Sequence, residues 1–552
     1  MLTLFKTDWR ELWADLPLPE LGTVYTKPEI VALILDLAGY DPARMRLSEY
    51  RLLEPSCGDG AFIQEVVKRL IASEKHASPE GVDWYSSSLE SAIRAVDISE
   101  KAVTETRALV ARLLMQHGCP GERANQLSEA WTFQTDFLLH DWQREQFDFV
   151  IGNPPYVRLE DVPERILHEY RNAYRTATDR ADLYVPFFEC GLRLIGNRGV
   201  LAFICANRFA KNQYGSALRS LIAEHYHVRN YINLEHTQPF LSDVSAYPAI
   251  IVIDRERGAP THAATVDDLA AGTLRALRSP YSEIPDSGRF ANWYPNGAPW
   301  VSTCSRHQAQ LAGLEKQFPA VEESAPGTKV GIGVATGADD IFVLPQKRAD
   351  IEDDRQLPLL MAQDIGCEKL ESSGHWLLNP FAEADDGSLV NFSTHPGLVA
   401  YFGNNAQRLK ARHCAKNRLQ TWYRTIDRIW PSLTHTPKLV LPDIQAGGVV
   451  GFDPGDFYPH HNVYWITSKT WDLRVLQAIL RSSFVTEQIR AHSVSMRGGS
   501  LRYQAQNLRR VRIPSWESLS PEARRLLADI AASRDQIEVD AAVEKVLQQS
   551  RA

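Results

Sequence analysis

The chain has 552 residues, of which 44% are hydrophobic, 23% charged and 9% aromatic, as in ordinary soluble globular proteins. Its formal net charge of −8 excludes a protein that is positively charged over its whole surface, although a local basic groove is compatible with it. A chain of this length is too long for one ordinary hydrophobic core, so we predict two or three domains.

Cysteine usage and apolar runs indicate a cytoplasmic protein. The seven cysteines are scattered and form no CxxC pair, which fits reduced thiols and gives no zinc site. Asp8 and Glu11 precede any apolar stretch, so a signal peptide is not expected. The longest apolar run, 200–206, is far too short to span a bilayer, and we predict no membrane contact.

The first predicted element is a helix over 28–40, because an apolar stretch begins at Pro28 and ends at Gly39. Beyond it, short apolar runs typical of strands alternate with stretches typical of helices. Strands are predicted within 51–62, 92–99, 131–139, 147–156, 199–206 and 249–253, and helices directly after the first strand and over 181–195. This alternation indicates an α/β fold with a doubly wound, mostly parallel sheet that helices cover on both faces.

The alternation decays between 254 and 300, where a loop-rich composition predicts a domain boundary. We predict a first domain over 1–258, a linker over 259–300 and a mixed α+β second domain over 301–520. The last residues, 521–552, predict a helical segment, because their apolar positions recur at helical spacing.

The first two predicted strands end in turns with the chemistry of a ligand site. In "LEPSCGDGAF" (53–62), Gly58 and Gly60 allow positive φ and close approach of a ligand, and Glu54 lies at the carboxyl end of the strand. The turn has no GxGxxG pattern or Walker lysine, and its acid suits a cationic ligand better than a phosphate. Asp97 ends the second strand, where dinucleotide folds bind ribose hydroxyls. A tight turn with Glu54 as a helix cap is the structural alternative.

The third strand ends in "TDFLL" (135–139). Asp136 offers an acceptor for the amino group of an adenine, and Phe137 offers a ring to cover the base. Asp136 as a plain turn residue is the alternative here. Three strand ends with fitting chemistry in succession are much more specific than any one of them.

The fourth strand ends in "IGNPPYVR" (151–158), because Pro154 and Pro155 cannot donate to a sheet and fix their own φ. In this stiff loop Asn153 and the Pro154 carbonyl can accept hydrogen bonds from one planar amino group, while Tyr156 offers a face to the base. An exocyclic amine is a poor nucleophile, since its lone pair is delocalised into the ring. Two acceptors favour a pyramidal nitrogen, so the predicted contribution is positioning and electrostatics without a strong general base.

Taken in this order, the motifs resemble those of the gamma class, or TaqI type, of S-adenosylmethionine-dependent DNA N6-adenine methyltransferases. The resemblance runs over essentially the whole chain. It implies a Rossmann-like class I methyltransferase domain followed by a target-recognition domain, with S-adenosylmethionine as the methyl donor and no metal. "GTVYTKPEIV" (22–31) resembles the family's leading motif, and "QPFLSDVSAYPAIIVI" (238–253) resembles the segment whose ring stacks on the target base.

The resemblance assigns roles to individual residues of this chain. The catalytic motif is Asn153, Pro154, Pro155 and Tyr156, and the cofactor-binding residues are Thr26, Glu54, Ser56, Gly58, Gly60, Asp97, Ile98, Asp136 and Phe137. The ring that stacks on the base from the other side is assigned to Phe240, with Tyr247 as the second candidate.

The second half contains two basic clusters with the composition that DNA contact requires. Residues 405–430 carry seven basic side chains against one acid, with Trp422 and Tyr423 among them, and residues 490–512 carry six arginines and no acid. Such clusters neutralise phosphates, although a solvated charged face is the alternative. The predicted DNA contacts are Arg412, Lys416, Arg424, Arg497, Arg502 and Arg509.

These observations predict an enzyme that methylates N6 of an adenine flipped out of double-stranded DNA. Since we find no nuclease-like signature, we expect a modification enzyme whose cognate restriction endonuclease, if there is one, is a separate protein. An N4-cytosine methyltransferase is the first alternative, because the same pocket serves a cytosine amine. A protein glutamine methyltransferase and a non-catalytic DNA-binding subunit are the others.

Overall fold

The computed structural model describes residues 9–14, 24–78, 83–86, 88–143, 145–178, 181–242, 247–279, 284–285, 287–291, 293, 297–300, 305–384, 386–416, 419–493 and 500–549. Of residues 305–308, 416 and 419 it describes the backbone only. The chain divides into two compact units, Met1–Gln308 and Ala309–Ala552.

The described residues of the first unit form one nine-stranded sheet in the order β3-β2-β1-β4-β5-β7-β6-β8-β9. Its strands are β1 (Leu52–Glu54), β2 (Ile93–Asp97), β3 (Thr132–Gln134), β4 (Phe147–Gly152), β5 (Ile195–Ala206), β6 (His227–Asn233), β7 (Pro248–Asp254), β8 (Thr261–Thr265) and β9 (Ser287–Phe290). The strands from β3 to β5 pair in parallel, whereas β7 runs antiparallel to both of its neighbours. The mostly parallel sheet is therefore confirmed.

Helices cover both faces of this sheet. They are α1 (Trp9–Trp13), α2 (Pro28–Ala38), α3 (Ala61–Ala77), α4 (Glu100–Gln116), α5 (Gly121–Trp131), α6 (Glu164–Ala173), α7 (Tyr184–Leu194), α8 (Arg208–Lys211), α9 (Ser216–His225) and α10 (Ala271–Ala276). Along β5, Leu201 and Phe203 enter one hydrophobic core, and Ala202 and Ile204 enter the other. Because successive side chains of a strand point to opposite faces, this alternation confirms the doubly wound arrangement.

The predicted linker over 259–300 is wrong, because β8 and β9 lie within it. β8 pairs in parallel with β6, and β9 pairs antiparallel with β8. The sequences of these strands, "THAAT" and "SGRF", contain few large apolar residues and so give little periodic signal. The division between the two units falls after residue 308 instead.

The second unit has a mixed α+β architecture, as predicted. Its strands are β10 (Lys329–Ile332), β11 (Val343–Leu344), β12 (Gln356–Leu360), β13 (Trp376–Leu378), β14 (Lys438–Pro442), β15 (Ile444–Gln445), β16 (Gly451–Asp453), β17 (Tyr458–Pro459), β18 (Val463–Thr467) and β19 (Leu501–Arg502). Within the described residues they form two four-stranded sheets, β10-β18-β14-β16 and β11-β13-β12-β17, and the pair β15-β19.

Ten helices complete the described part of the chain. They are α11 (Ser305–Gln317), which spans the division, α12 (Asp339–Phe342), α13 (Pro396–Asn404), α14 (Ala406–Ala411), α15 (His413–Lys416), α16 (Leu473–Arg481), α17 (Ser483–His492), α18 (Ala505–Leu508), α19 (Pro521–Ile530) and α20 (Gln536–Gln549). The two C-terminal helices share a core with the sheet, because Leu527 and Val543 join the cluster that holds Leu439 and Ile466. Among the described residues, none of the helices combines the length and the apolarity needed to cross a bilayer.

Candidate active site

The carboxyl ends of β1, β2, β3 and β4 border one cavity of about 740 Å³ in the first unit. These neighbouring strands are parallel, so their carboxyl ends meet at one edge of the sheet, where open α/β sheets bind ligands. The predicted residues that line it are Thr26, Glu54, Ser56, Gly58, Asp97, Ile98, Asp136, Phe137, Asn153, Pro154, Pro155 and Tyr156. Residues predicted from four separate strand ends and from the leading motif therefore converge on one space.

Gly60, which we expected to bind the cofactor, does not line the cavity. It directly precedes α3 with φ +86°, and a Cβ added to it would lie 2.7 Å from Leu109 Cδ2. The left-handed turn and the close packing against α4 both require a glycine here, and its assignment to cofactor binding stays a prediction.

The Asp97 carboxylate is held at the end of β2 by backbone donors from two loops. Gly58 N donates to Asp97 Oδ2 at 3.0 Å, and Ser99 N donates to Asp97 Oδ1 at 2.9 Å. Burial raises the pKa of Asp97, while these two N–H groups oppose that shift by stabilising the anion. The turn after β1 and the acid of β2 thus form one fixed acceptor at the cavity wall.

Glu54 is a buried acid with an unused acceptor. Its side chain lies at the end of β1 and the residue is 1% exposed, yet Oε2 has no hydrogen-bond partner among the described residues. Burial raises the pKa of Glu54 well above its usual range, and the charges of Asp59 and Asp97 add to that rise. A buried polar atom without a partner is costly, so a ligand that donates to this carboxyl gains from binding here.

Asp136 is fully engaged within the protein. Its Oδ2 accepts from Trp13 Nε1 at 2.8 Å and from the Tyr170 hydroxyl at 2.7 Å, while its Oδ1 accepts from the backbone N–H groups of Leu138 and Leu139. A carboxylate has about four acceptor positions, and these four donors occupy them. Asp136 therefore organises the cavity wall, and its expected role as an acceptor for an adenine amino group stays a prediction.

Trp13 and Tyr170 were missed by sequence reasoning, although both line the cavity. Trp13 lies on the five-residue helix α1, and Tyr170 lies on α6, away from every strand end. Reading strand ends alone could not find them, because only the fold brings these helices to the cavity. Their one sequence signal is a bulky aromatic residue with a polar atom, a type that usually finds a partner when buried.

The amide of Asn153 has a defined orientation. Its Nδ2 donates to the Val24 carbonyl at 3.0 Å and to Thr26 Oγ1 at 3.3 Å, and the Ser56 hydroxyl donates to the Asn153 backbone carbonyl at 3.0 Å. Asn153 Oδ1 is buried and has no partner among the described residues. Asn153 thus lines the cavity, and its side chain keeps one buried acceptor that no described residue uses.

The segment 24–27 also supports the predicted stacking ring. Lys27 N donates to the Pro239 carbonyl at 3.0 Å, and Leu241 N donates to the Tyr25 carbonyl at 2.9 Å. Phe240, between these two bonds, is 2% exposed, and its ring centroid lies 6.1 Å from that of Tyr156 at an interplanar angle of 80°. The two rings thus meet edge to face and do not present parallel faces.

The described arginines among the predicted DNA contacts, Arg412, Arg424, Arg502 and Arg509, lie in the second unit and have partners there. Arg412 donates to the carbonyls of Leu409, Thr336, Trp422 and Arg424, which favours a structural role. Arg502 pairs with Asp443, Arg509 pairs with Glu322, and the Arg424 guanidinium lies 5.9 Å from the ring centre of Phe381. Arg502 and Arg509 of the acid-free stretch 490–512 therefore pair with acids that are distant in sequence. Arg497 lies outside the described residues, as does the side chain of Lys416.

Known proteins resemble this chain in sequence and in fold. The family described as the Eco57I restriction-modification methylase matches residues 87–240. The chain is 44% identical over 520 residues to the type II methyltransferase M.PaeR7I of Pseudomonas aeruginosa, covering 93% of this chain and 89% of the relative. It is 38% identical over 525 residues to the type II methyltransferase M.XhoI of Xanthomonas vasicola, covering 94% and 95%.

Among solved structures, the type IIL restriction-modification enzyme MmeI in complex with DNA aligns with a TM-score of 0.60. The alignment covers 95% of this chain and 74% of that chain at 12% identity, which is a likeness of fold alone. The long, high-identity matches confirm the family that the motifs indicated. This chain belongs to the same family as the type II methyltransferases M.PaeR7I and M.XhoI and is a type II DNA methyltransferase.

Proposed function

We propose that this chain transfers the methyl group of S-adenosylmethionine to N6 of an adenine flipped out of a specific site in duplex DNA. The observation that carries the proposal is that Asn153, which lines one cavity with Tyr156, Glu54 and Asp97, has a buried Oδ1 without a partner among the described residues. It supplies an acceptor for an amino group next to a wall suited to a cationic, ribose-containing ligand.

The cavity fits S-adenosylmethionine by the chemistry of its wall. Its volume of about 740 Å³ lies in the range of ligand pockets, about 300 to 1,000 Å³. Asp97 would hold the ribose hydroxyls, and Glu54 Oε2, which no described residue contacts by a hydrogen bond, suits the positively charged end of the ligand. When bound, S-adenosylmethionine supplies a methyl group activated by a sulfonium.

The NPPY loop would position the acceptor nitrogen. Asn153 Oδ1 accepts one N–H of the amino group, because the amide nitrogen is already committed to Val24 and Thr26. An amide oxygen is too weak a base to remove a proton, so its contribution is orientation and stabilisation of the positive charge that develops on the nitrogen. The two prolines that follow keep this acceptor in place.

Tyr156 would hold the target base by its ring. The base must first leave the DNA stack, since its amino group cannot otherwise reach the loop. Placing the base between Tyr156 and Phe240 requires the Phe240 ring to leave its edge-to-face contact. Binding of the flipped base and movement of that ring are therefore coupled in our proposal.

The second unit would supply DNA contacts, for which Arg424, Arg502 and Arg509 are the candidates. Phosphate contacts by arginine give affinity that falls as salt rises. The setting we propose is the modification half of a restriction-modification system, with cleavage by a separate protein.

Identification of the methylated nucleoside tests this function directly. Duplex DNA is incubated with the protein and S-adenosylmethionine, digested to nucleosides and analysed by mass spectrometry. We expect N6-methyldeoxyadenosine at one sequence motif, mapped by methylation-sensitive sequencing. N4-methyldeoxycytidine would instead establish the cytosine alternative, and an unmethylated product with intact cofactor binding would contradict catalysis on DNA.

A further inference from the structure

Three side chains of the second unit bring ligand atoms for a metal ion to one place. They are Asp339, at the start of α12, and His460 and His461, between β17 and β18. His460 is almost fully buried, whereas the side chains of His461 and Asp339 are 47% and 44% exposed. The cluster thus has a buried side and an open side, and it lies outside the cavity of the first unit.

The distances between the three ligand atoms match one face of a tetrahedral site. His460 Nε2 lies 3.2 Å from Asp339 Oδ2 and 3.0 Å from His461 Nδ1, and the third distance, between His461 Nδ1 and Asp339 Oδ2, is 3.7 Å. Ligands bonded to zinc at about 2.0 to 2.1 Å and at tetrahedral angles lie about 3.3 to 3.4 Å apart. The mean separation in the cluster therefore needs little adjustment to accept such an ion.

The ring of His460 is oriented as in a metal ligand. Its Nδ1 lies 2.9 Å from Asn462 Oδ1, so the tautomer that is protonated on Nδ1 donates to this oxygen and leaves the Nε2 lone pair facing the cluster. A partner on the other ring nitrogen is the usual way in which proteins fix the tautomer of a metal-binding histidine. Asp339 is oriented too, because its Oδ1 accepts from the Thr336 hydroxyl.

The backbone holds the two loops of the cluster together. Val334 N donates to the Pro459 carbonyl at 3.1 Å, and Gly333 N donates to the Val463 carbonyl at 2.9 Å. A Cβ added to Gly333 would lie 2.2 Å from the His460 carbonyl oxygen, so the close approach depends on glycine. The position of the three ligands is therefore built by the fold and does not depend on long, flexible side chains.

The geometry points to a binding site for one divalent transition-metal ion of the zinc type, formed by Asp339, His460 and His461 with a solvent molecule in the fourth position. Lone pairs that face one another at these distances repel unless a proton or a metal ion lies between them, and two imidazoles with one carboxylate are a preferred ligand set for zinc-type ions. Bound there, the ion clips the 334–339 turn to the 459–463 segment. No sequence motif indicated this site, because Asp339 and His460 are 121 residues apart and the ligand set contains no cysteine pair.

Zinc binding to the untagged, full-length protein tests the site. The protein is stripped with a chelator, titrated with Zn²⁺ against a chromogenic competitor, and desalted for metal analysis. We expect one zinc per chain and a rise in Tm on loading. His461→Ala removes the exposed ligand, and Asp339→Asn removes the anionic ligand but keeps an oxygen for Thr336; each should weaken affinity at least about tenfold.

His435→Ala is the matched control, because His435 is an exposed histidine of the same unit outside the cluster. Its affinity for zinc should equal that of the unchanged protein. Binding of less than one zinc per chain would overturn the proposal, as would equal affinities in all four proteins. The outcome is independent of methyl transfer, since neither the site nor its test involves the first unit.

Discussion

The side chain of Asn153 is already oriented for a polar substrate by contacts within the protein. Two acceptors, the Val24 carbonyl and Thr26 Oγ1, fix its amide nitrogen, and the buried oxygen has no partner in the part of the chain that the structure describes. An unsatisfied buried acceptor lowers stability by roughly 1 to 3 kcal/mol. Such a cost is typical of a site that a ligand completes, and it is the residue-scale basis of our proposal.

Replacing Asn153 by Ala should lower kcat by about 10² to 10³, the effect of removing one positioned hydrogen-bonding group from an active site. Affinity for S-adenosylmethionine, measured by calorimetry, should change little, because Asn153 is assigned to the target amine. Asn125→Ala is the control, since Asn125 is an exposed residue of α5. A variant with full turnover would show that Asn153 has no part in positioning the amine.

Replacing Glu54 by Gln should raise stability and weaken cofactor binding. The pKa of Glu54 is raised in the folded protein, so above its usual value near 4.5 the unfolded chain loses a proton that the folded chain keeps. The free energy of unfolding therefore falls as pH rises from about 4.5 towards the raised pKa of Glu54. Glutamine does not titrate, so Glu54→Gln removes this dependence. The unfolding temperature of Glu54→Gln should therefore exceed that of the unchanged protein most clearly at neutral pH.

Glu129→Gln provides the comparison, because Glu129 is an exposed acid on α5. Its unfolding temperature should follow that of the unchanged protein from pH 5 to pH 8. An unfolding temperature of the unchanged protein that does not vary with pH would argue that Glu54 is not destabilised by burial. Unaltered S-adenosylmethionine affinity in Glu54→Gln would argue that Glu54 does not bind the cofactor.

At the scale of elements, the site lies where four parallel strands end and where the segment 24–27 contacts the loops beside them. That segment contacts the NPPY loop through Asn153 and the Phe240 segment through two backbone hydrogen bonds. One short extended stretch therefore sets the position of both halves of the predicted base pocket. A change in this stretch would disturb the amine acceptor and the stacking ring together.

Phe240→Leu should reduce kcat/KM on duplex DNA by about 5- to 150-fold, since stacking of a base on an aromatic ring contributes about 1 to 3 kcal/mol. Leucine keeps most of the buried volume, so the fold should survive. Tyr247→Leu is the matched comparison, because Tyr247 was the second candidate for the stacking ring. A larger loss in Tyr247→Leu than in Phe240→Leu would transfer the role to Tyr247.

The features that the sequence could predict are those that depend on residues close together along the chain. The end of α2 at Gly39 and the loop after β4 depend on local backbone chemistry, and the structure has both where the sequence places them. The short strands β6, β8 and β9 depend on pairing with distant segments and were missed. The same holds at the site: Asp136 was found as a residue, while its partners Trp13 and Tyr170 are 123 and 34 residues away.

The whole molecule carries a net charge of −8, although a DNA methyltransferase must bind a polyanion. A negatively charged protein binds a polyanion only through local positive surface, so the placement of each arginine matters more than their number. The structure separates arginines that hold the second unit together, such as Arg412, from arginines with half-exposed side chains, such as Arg502 and Arg509. Electrostatic binding of DNA should therefore depend on few positions.

Arg509→Ala should weaken binding of duplex DNA and reduce the slope of log K against log salt concentration by about 1, the effect of losing one phosphate contact. The Arg509 side chain is 47% exposed, and Glu322, its partner, also accepts from Val330 N, so the acid keeps a donor when the arginine is removed. Arg534→Ala is the matched control, because Arg534 also pairs with an acid, Glu368, and lies outside both basic clusters. Fluorescence anisotropy with labelled duplex at several salt concentrations measures both quantities. Equal slopes for the two variants would mean that Arg509 belongs to a solvated charged face, and the DNA-contacting surface of the second unit would then have to be sought elsewhere.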